Sequence, residues 1–281
     1  MATPRGCRIV VRRTHDAARA PDETHVVDGV RHAGESVFGA ARRALREEGI
    51  RGPEPWAVDL SARVAVFAVD VPDEIVTDHL RSDRGDELVA RAVAVPDVRI
   101  GFRALGRADL ADMVRWTGEP HVAQWWTDEA ADLAAAEKHY GPAIDGEDPT
   151  RVWVVEVNGR SVGFVQDYRI GDHPEYSALT ARPDAVGFDY AIGEPSWAGR
   201  GIGTRMLWQF LTEVVRPHYP EAKQYFAAPD HRNARSLRVL DKLGFSRGLW
   251  FDEPQRGGGV DTVVGCELDV KRYLGRNGDG R

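Results

Sequence analysis

VGFDYAIGEPSWAGRGIGT, residues Val186–Thr204, is the stretch from which the rest of the chain can be read. Val186, Phe188, Tyr190 and Ile192 alternate with Asp189 and Ala191, which predicts a strand. Gly193-Glu194-Pro195 turns the chain, and Gly199-Arg200-Gly201-Ile202-Gly203-Thr204 leads into a helical run from Met206 to Leu211. Strand, glycine loop and helix in this order make a cradle for phosphate. Glycines let the backbone approach an anion, the first N–H groups of the helix have no internal partner, and the helix dipole adds to the attraction. A Walker loop is excluded, because no Lys-Ser/Thr follows Gly203.

The 281 residues suffice for one large domain or two small ones, and 42% hydrophobic with 29% charged residues describes an ordinary globular composition. No run of about eighteen apolar residues is present, so no spanning helix is expected. The start MATPRGCRIVVRR lacks the apolar core of a signal peptide, which makes the cytoplasm the expected compartment. Cys7 and Cys266 cannot build a disulfide framework, and no Cys/His spacing suggests a metal. A net charge of −7 argues against a non-specific nucleic-acid partner and is compatible with a cationic one.

Two α/β units flank Pro96-Asp97, the expected boundary. Residues 1–95 read as a small N-terminal unit: a strand in CRIVV, a helix over Gly34–Ile50, a strand over Ala62–Val71 and, over Asp73–Val93, a helix or a pair of short helices interrupted around Asp83–Asp86. Residues 96–275 form the second unit. It opens with a strand at Val98–Leu105 and helices at Arg107–Thr117 and Asp128–Tyr140, the latter capped by Thr127. A hairpin over Arg151–Val157 and Ser161–Tyr168 turns at Asn158-Gly159. After a polar loop, Gly171–Asp184, comes the stretch quoted above, its helix ending near Val215 before Pro217. A strand at Ala222–Ala228, a helix at Asn233–Leu243 ended by Gly244, and strands at Gly248–Asp252 and Thr262–Asp269 complete the unit; residues 276–281 read as a disordered tail.

In the N-terminal unit, Gly29, Glu35, Arg43, Glu47, Glu48 and Gly49 resemble the hydrolase box of the Nudix family. Ala44 replaces a metal-binding glutamate and one residue is missing before Gly49. A helical deletion turns the following side chains by about 100°, so the carboxylates are not expected to converge on a metal. An amphipathic helix with a solvated charged face is the expected reading.

The second unit resembles the GNAT superfamily of acyl-CoA-dependent N-acyltransferases. Arg200-Gly201-Ile202-Gly203 is similar to that superfamily's pyrophosphate loop, although Ala198 stands where Gln or Arg is common. Asn233…Ser236…Leu240-Asp241-Lys242-Leu243-Gly244-Phe245 is similar to its N-x-x-A/S…Y-E-K-x-G-F helix, with Leu240 in place of the tyrosine proposed to reprotonate the thiolate. The resemblance implies an α/β (α+β) GNAT fold, a central mixed, mostly antiparallel sheet flanked by helices, with the N-terminal α/β unit added. It also implies acetyl-CoA as cosubstrate, no metal, and cofactor contacts from Tyr190, Ala191, Ile192, Gly199, Arg200, Gly201, Ile202, Gly203, Thr204, Asn233 and Arg235. Within the superfamily, His121-Val122-x-x-Trp125-Trp126, Gly163-Phe164-Val165-Gln166-x-Tyr168 and Gly187-Phe188-Asp189 through Pro195 look like segments of aminoglycoside 6'-N-acetyltransferases. Ala228-Pro229-Asp230 departs from their D-P, so the acceptor-binding carboxylate is expected either to be lost there or to be replaced by Asp230.

An amine must lose a proton to attack a thioester, and a free alkylammonium has a pKa near ~10. A carboxylate must therefore draw in and position the cation, and Asp189 is the expected catalytic residue. Strand N–H groups near Tyr190–Ile192 would polarise the thioester carbonyl. Trp125, Trp126, Gln166, Tyr168, Glu194 and Asp230 are the expected acceptor-binding residues, one tryptophan as a wall for a cation and the other as core. Asp167, Asp172, Glu175, Asp184 and Glu194 are expected either as a solvated face or as an acidic funnel for a polycation. His121 and His231 are expected to be structural, and Cys266 core. The implied function is acetylation of a primary amine on a polycationic antibiotic, an aminoglycoside or a capreomycin-class peptide, conferring resistance. Asp230-His231-Arg232-Asn233 also resembles a segment of siderophore lysine N-acyltransferases, the alternative enzyme; a non-catalytic acyl-CoA-binding module is the other. The N-terminal unit is expected to pack on the catalytic one, shape the acceptor site or make a homodimer contact.

Overall fold

Valine, isoleucine and phenylalanine in short alternating runs write two sheets. The computed structural model describes residues 4–13, 25–61, 63–72, 80–82, 98–126, 131–255 and 259–275. The first sheet contains β1 (Gly6–Arg13), β2 (His25–Val30), β3 (Trp56–Asp59), β4 (Val64–Val71) and β5 (Arg81–Ser82), in the order β3-β4-β1-β2-β5. β1 runs parallel to β4 and antiparallel to β2. Helix α1 (Val37–Glu47) starts where the Ser36 hydroxyl accepts the Gly39 N–H at 3.0 Å, and buries Val37, Phe38, Ala40, Ala41, Ala44 and Leu45. Its Arg43 donates to Glu35 and to Glu47, at 3.0 and 2.9 Å, so the two carboxylates of the box-like stretch are taken up in ion pairs.

β2 and β3 were not expected. β2 carries Val26-Val27 together rather than alternating, and β3 is four residues behind Pro53 and Pro55. Arg81 and Ser82, expected in a helix, pair instead with Val26 and His25; of the rest of the expected Asp73–Val93 stretch only Leu80, a buried bend residue, is described.

The second sheet has the order β11-β12-β10-β9-β8-β7-β6. Its strands are β6 (Ile100–Ala104), β7 (Arg151–Val157), β8 (Arg160–Arg169), β9 (Val186–Ile192), β10 (Gln224–Ala227), β11 (Ser246–Pro254) and β12 (Val260–Asp269). Every pairing is antiparallel except β9 with β10, the expected mixed, mostly antiparallel sheet. The β7–β8 hairpin turns at Asn158-Gly159, both at positive φ. Beside one face lie α2 (Leu110–Gly118), α3 (Pro120–Ala123) and α4 (Leu133–Asp145), which bury Met113, Trp116, Val122 and Tyr140 with Phe164 and Ala191. α4 begins and ends later than expected: Asp132 accepts the Ala135 N–H at its start, and Gly146 closes it in the left-handed region. Residues 127–130 of the expected helix lie outside the described ones. The expected polar loop Gly171–Asp184 contains helix α5 (Pro174–Thr180), whose first position tolerates a proline lacking an N–H.

On the other face α6 (Ile202–Gln209) continues through a π-helical turn, Phe210–Val215, into Arg216–His218. It therefore outruns the stop expected at Pro217: that residue has no N–H for the regular ladder, and the wider turn precedes it. α7 (Ala234–Lys242) and the short α8 (Val270–Tyr273) follow.

One apolar cluster runs from the first sheet into the second. The Trp208 ring of α6 packs edge-on against Phe38 at 5.2 Å and Phe67 at 5.8 Å, and its indole N–H donates to the Pro55 carbonyl at 3.3 Å. Trp208→Ala should cost about 3–5 kcal/mol of unfolding free energy, and a chain beginning at residue 96 should be largely insoluble because α6 loses its cover. Denaturant titration and soluble yield test this; a soluble, cooperatively folding 96–281 chain would refute the shared core.

Candidate active site

β9 and β10 part almost as soon as they meet. Their parallel ladder holds only Tyr225 with Val186 and Phe226 with Gly187, while β8 follows β9 to Ile192. Past Gly187 the β10-facing edge of β9 has no strand partner among the described residues, and backbone groups there are left available. The gap opens into a cavity of about 1020 Å³ that reaches from Trp125 and Trp126 past Gln166 and Asp189 to Tyr190, Asn233 and Ser236. Six carboxylates line it, Asp148, Glu175, Asp189, Asp230, Glu253 and Asp261; among the described residues lining it there is no Lys or Arg.

Asp189 sits where register puts Gln166 directly across from it, and the Gln166 amide donates to its carboxylate at 3.0 Å. The buried Tyr168 hydroxyl also reaches it; burial first, then the Asp189 charge, raises the phenol well above its usual pKa. Tyr168 fits because it lies across Gly187: a Cβ there would stand 2.5 Å from the ring. Tyr168 in turn touches His173 and Tyr176, with ring centroids 5.0 and 6.1 Å away. Across the cavity, burial and the charges of Asp189 and Asp261 push the Glu253 carboxyl up to about 7.

The remaining carboxylates are prepared differently. Asp230 accepts from the backbone N–H and guanidinium of Arg232, which hold it below the usual carboxylate range. Burial works against the charge of Asp148, but the Thr150 hydroxyl and N–H outweigh it and lower the pKa. Trp125 and Trp126 are both half-buried and both line the cavity, and Trp126 also packs against the apolar cluster under the sheet. Trp126 is braced by Phe164 at 4.8 Å.

At the far end of β9, Gly199 and Gly201 take φ of 78° and 80°, a region open to glycine without strain. Gly201 starts α6 with no side-chain cap, so its first N–H groups stay available to an anion. Asn233, by contrast, caps α7 by accepting the Ser236 N–H at 3.1 Å. Arg200 lies over Trp197 at 5.7 Å, Arg235 is exposed, and Thr204 is buried. The Tyr190 and Ser236 hydroxyls are hydrogen-bonded at 2.7 Å. Leu240 is in the core.

Glu194, expected at the acceptor, does not line this cavity. It accepts from the Trp116 indole at 3.1 Å and pairs with Arg115, whose hydrogen bond lowers its pKa. Asp167 is fully buried and accepts from Arg151 and Trp153, on the face of β8 opposite Gln166 and Tyr168. Of the expected funnel, only Glu175 lines the cavity. His121 and His231, expected to be structural, hydrogen-bond to the carbonyls of Ile192 and Thr262 at 2.9 Å each. Cys266 is core, and burial pushes its thiol up to about 12. Glu253, Asp261, Asp148 and Tyr176 were not expected; the first was missed because its strand runs past Asp252 to Pro254. Gly187→Ala should cost about 1–3 kcal/mol by crowding Tyr168; an unchanged denaturation midpoint would contradict that packing.

Residues 106–252, more than half of the chain, match the family model described as an acetyltransferase (GNAT) domain. The crystal structure of aminoglycoside acetyltransferase AAC(6')-Ib with coenzyme A is similar at 23% identity and a TM-score of 0.53, over 62% of this chain and 96% of that one. Its complex with coenzyme A and kanamycin gives 23% and 0.52 over the same shares. An uncharacterised Bacillus halodurans protein is 19% identical with a TM-score of 0.55, over 63% of this chain and 86% of its own. These likenesses are likenesses of fold.

Proposed function

This chain belongs to the GNAT family of acetyltransferases and is an N-acetyltransferase, and from that premise we propose that it acetylates a primary amine of a small polycation, of the aminoglycoside kind, using acetyl-CoA. The observation that carries the substrate class is the aromatic cavity lined by six carboxylates and, among the described residues, by no Lys or Arg. Such a site attracts multiple ammonium groups and repels acids. It disfavours the siderophore-lysine alternative, whose acceptor carries its own carboxylate. A solved relative in complex with kanamycin is consistent with this substrate class.

The residues present fit acetyl-CoA: the uncapped N-terminus of α6 and its glycines suit a pyrophosphate, and the open edge of β9 suits an amide-bearing arm. When bound, acetyl-CoA supplies the acetyl thioester whose carbonyl carbon accepts the amine and whose sulfur leaves. Asp189, fixed by Gln166 and Tyr168, holds the acceptor ammonium and aligns it. N–H groups of the Tyr190–Ile192 edge polarise the carbonyl. With Leu240 in the core, the Tyr190 hydroxyl, bonded to Ser236 and lining the cavity, is the group that returns a proton to sulfur. Acting on such an antibiotic in the cytoplasm would confer resistance.

Incubation with acetyl-CoA and kanamycin, capreomycin or spermidine should release thiol and add one acetyl group by mass spectrometry. Asp189→Asn should lower kcat at least about 10²-fold while leaving coenzyme A affinity unchanged. No acetylated product across the panel would overturn the reading, and wild-type kinetics in the variant would remove Asp189 from it.

A further inference from the structure

Asp189 and Glu253 enter the cavity from different walls. β12 and β10 separate their strands in the sheet order, yet both side chains line the same space. The surroundings of the two carboxylates differ. Asp189 accepts from the Gln166 amide and lies within reach of the Tyr168 hydroxyl. Glu253 is half-buried on the edge strand, with no hydrogen-bond or ion-pair partner for its carboxylate among the described residues. The groups that face it are anionic or phenolic: Asp261 directly opposite on β12, Asp189 from β9, Tyr168 from β8 and Tyr176 from α5. Arg232, the cation paired with Asp261 among the described residues, is engaged with Asp230 at 2.6 Å and approaches Asp261 at 3.7 Å.

We propose that Glu253 is the base of the reaction, a catalytic residue that takes the proton from the acceptor's ammonium while Asp189 holds the amine; this rests on the acetylation reading above. One N–H bond breaks with its electron pair staying on nitrogen for attack on the acetyl carbon, its proton moves to a Glu253 carboxylate oxygen, and the resulting neutral acid returns it to water. As the C–N bond forms and the C–S bond breaks, Tyr190 gives its proton to the sulfur and the second proton lost from nitrogen restores the Tyr190 hydroxyl.

The division of labour follows from the environments. A carboxylate stabilised by two donors is a good anchor and a poor proton acceptor. One crowded by like charge and stripped of donors holds a proton more tightly, which raises its basicity toward that of an amine. The cation that enters between them also drives off any proton already on Glu253, so a polycationic substrate arms its own base.

Two readouts of Glu253→Gln test this in the full-length protein. The first needs no substrate. A carboxyl with pKa raised from 4.5 to about 7 binds its proton more tightly folded than unfolded. That contribution to stability is therefore full below about 4.5 and is lost as pH rises through about 7. The wild-type Tm should fall across that window relative to the variant, and parallel Tm curves would overturn the proposal. The second is the pH dependence of kcat/KM for kanamycin acetylation. In the wild type it should rise through pH about 7. In the variant kcat at pH 7 should fall roughly 10²-fold, and the deficit should shrink above pH about 8, where a growing fraction of amine is already neutral. A wild-type pH profile in the variant would overturn the base role. Wild-type protein that acetylates no amine, with the Tm difference intact, would instead sink the acetylation reading and the base role together, leaving Glu253 as a titrating group only.

Discussion

The organising constraint is a ladder that stops. A parallel strand pair normally continues until one strand ends, because each unpaired backbone group away from water is costly. β9 and β10 share two residue pairs; β10 ends at Ala227, one residue past the last of them, while β9 runs on to Ile192. That leaves a backbone edge inside the sheet instead of at its margin. Such an edge persists when the molecule is built to pair it with something else, and the neighbourhood supplies the complementary parts. The glycine loop that follows β9 presents the N–H groups of α6, while α7 brings Ser236 against Tyr190. Family, cavity and chemistry all depend on this one interruption.

The cavity it opens contains one residue type in several electrostatic states. Arg232 neutralises Asp230; Thr150 and its backbone hold Asp148 as an anion; Gln166 and Tyr168 hold Asp189; Glu253 is crowded by like charge. Total charge alone would make the site a cation trap. Sorting the carboxylates by their donors lets some bind a cation and others exchange protons with it.

Periodicity made most of this sheet legible. Alternation located β7, β8 and β9, and Asn158-Gly159 located the hairpin between the first two. Register then placed Gln166 across from Asp189. The same alternation, applied one residue further, puts Asp167 on the opposite face with Arg151, where counting nearby acids had grouped it with the site. Glu194 shows the other limit. It follows Asp189 closely in sequence, but the chain turns at Gly193, and the carboxylate ends beside Trp116. Asp261 and Glu253 come from a hairpin more than sixty positions beyond Asp189. Their approach depends on how the sheet curls, which local pattern does not encode.

The N-terminal unit bears on the site through α6. That helix buries Ile202, Thr204, Arg205, Met206, Leu207 and Trp208 in succession, so it has no solvent stripe wide enough to stand at a surface. The catalytic sheet covers part of this circumference, and β3, Phe38 and Phe67 cover another part. The Leu60 N–H donates to the Lys242 carbonyl at the end of α7, joining the same unit to the second helix beside the cavity. Both helices that border the splay are thereby braced from behind. A loop that must hold an anion by backbone N–H groups alone depends on where its helix begins. Here that position is set by packing from two sheets, so the N-terminal unit braces the helices beside the cavity although none of its described residues lines it.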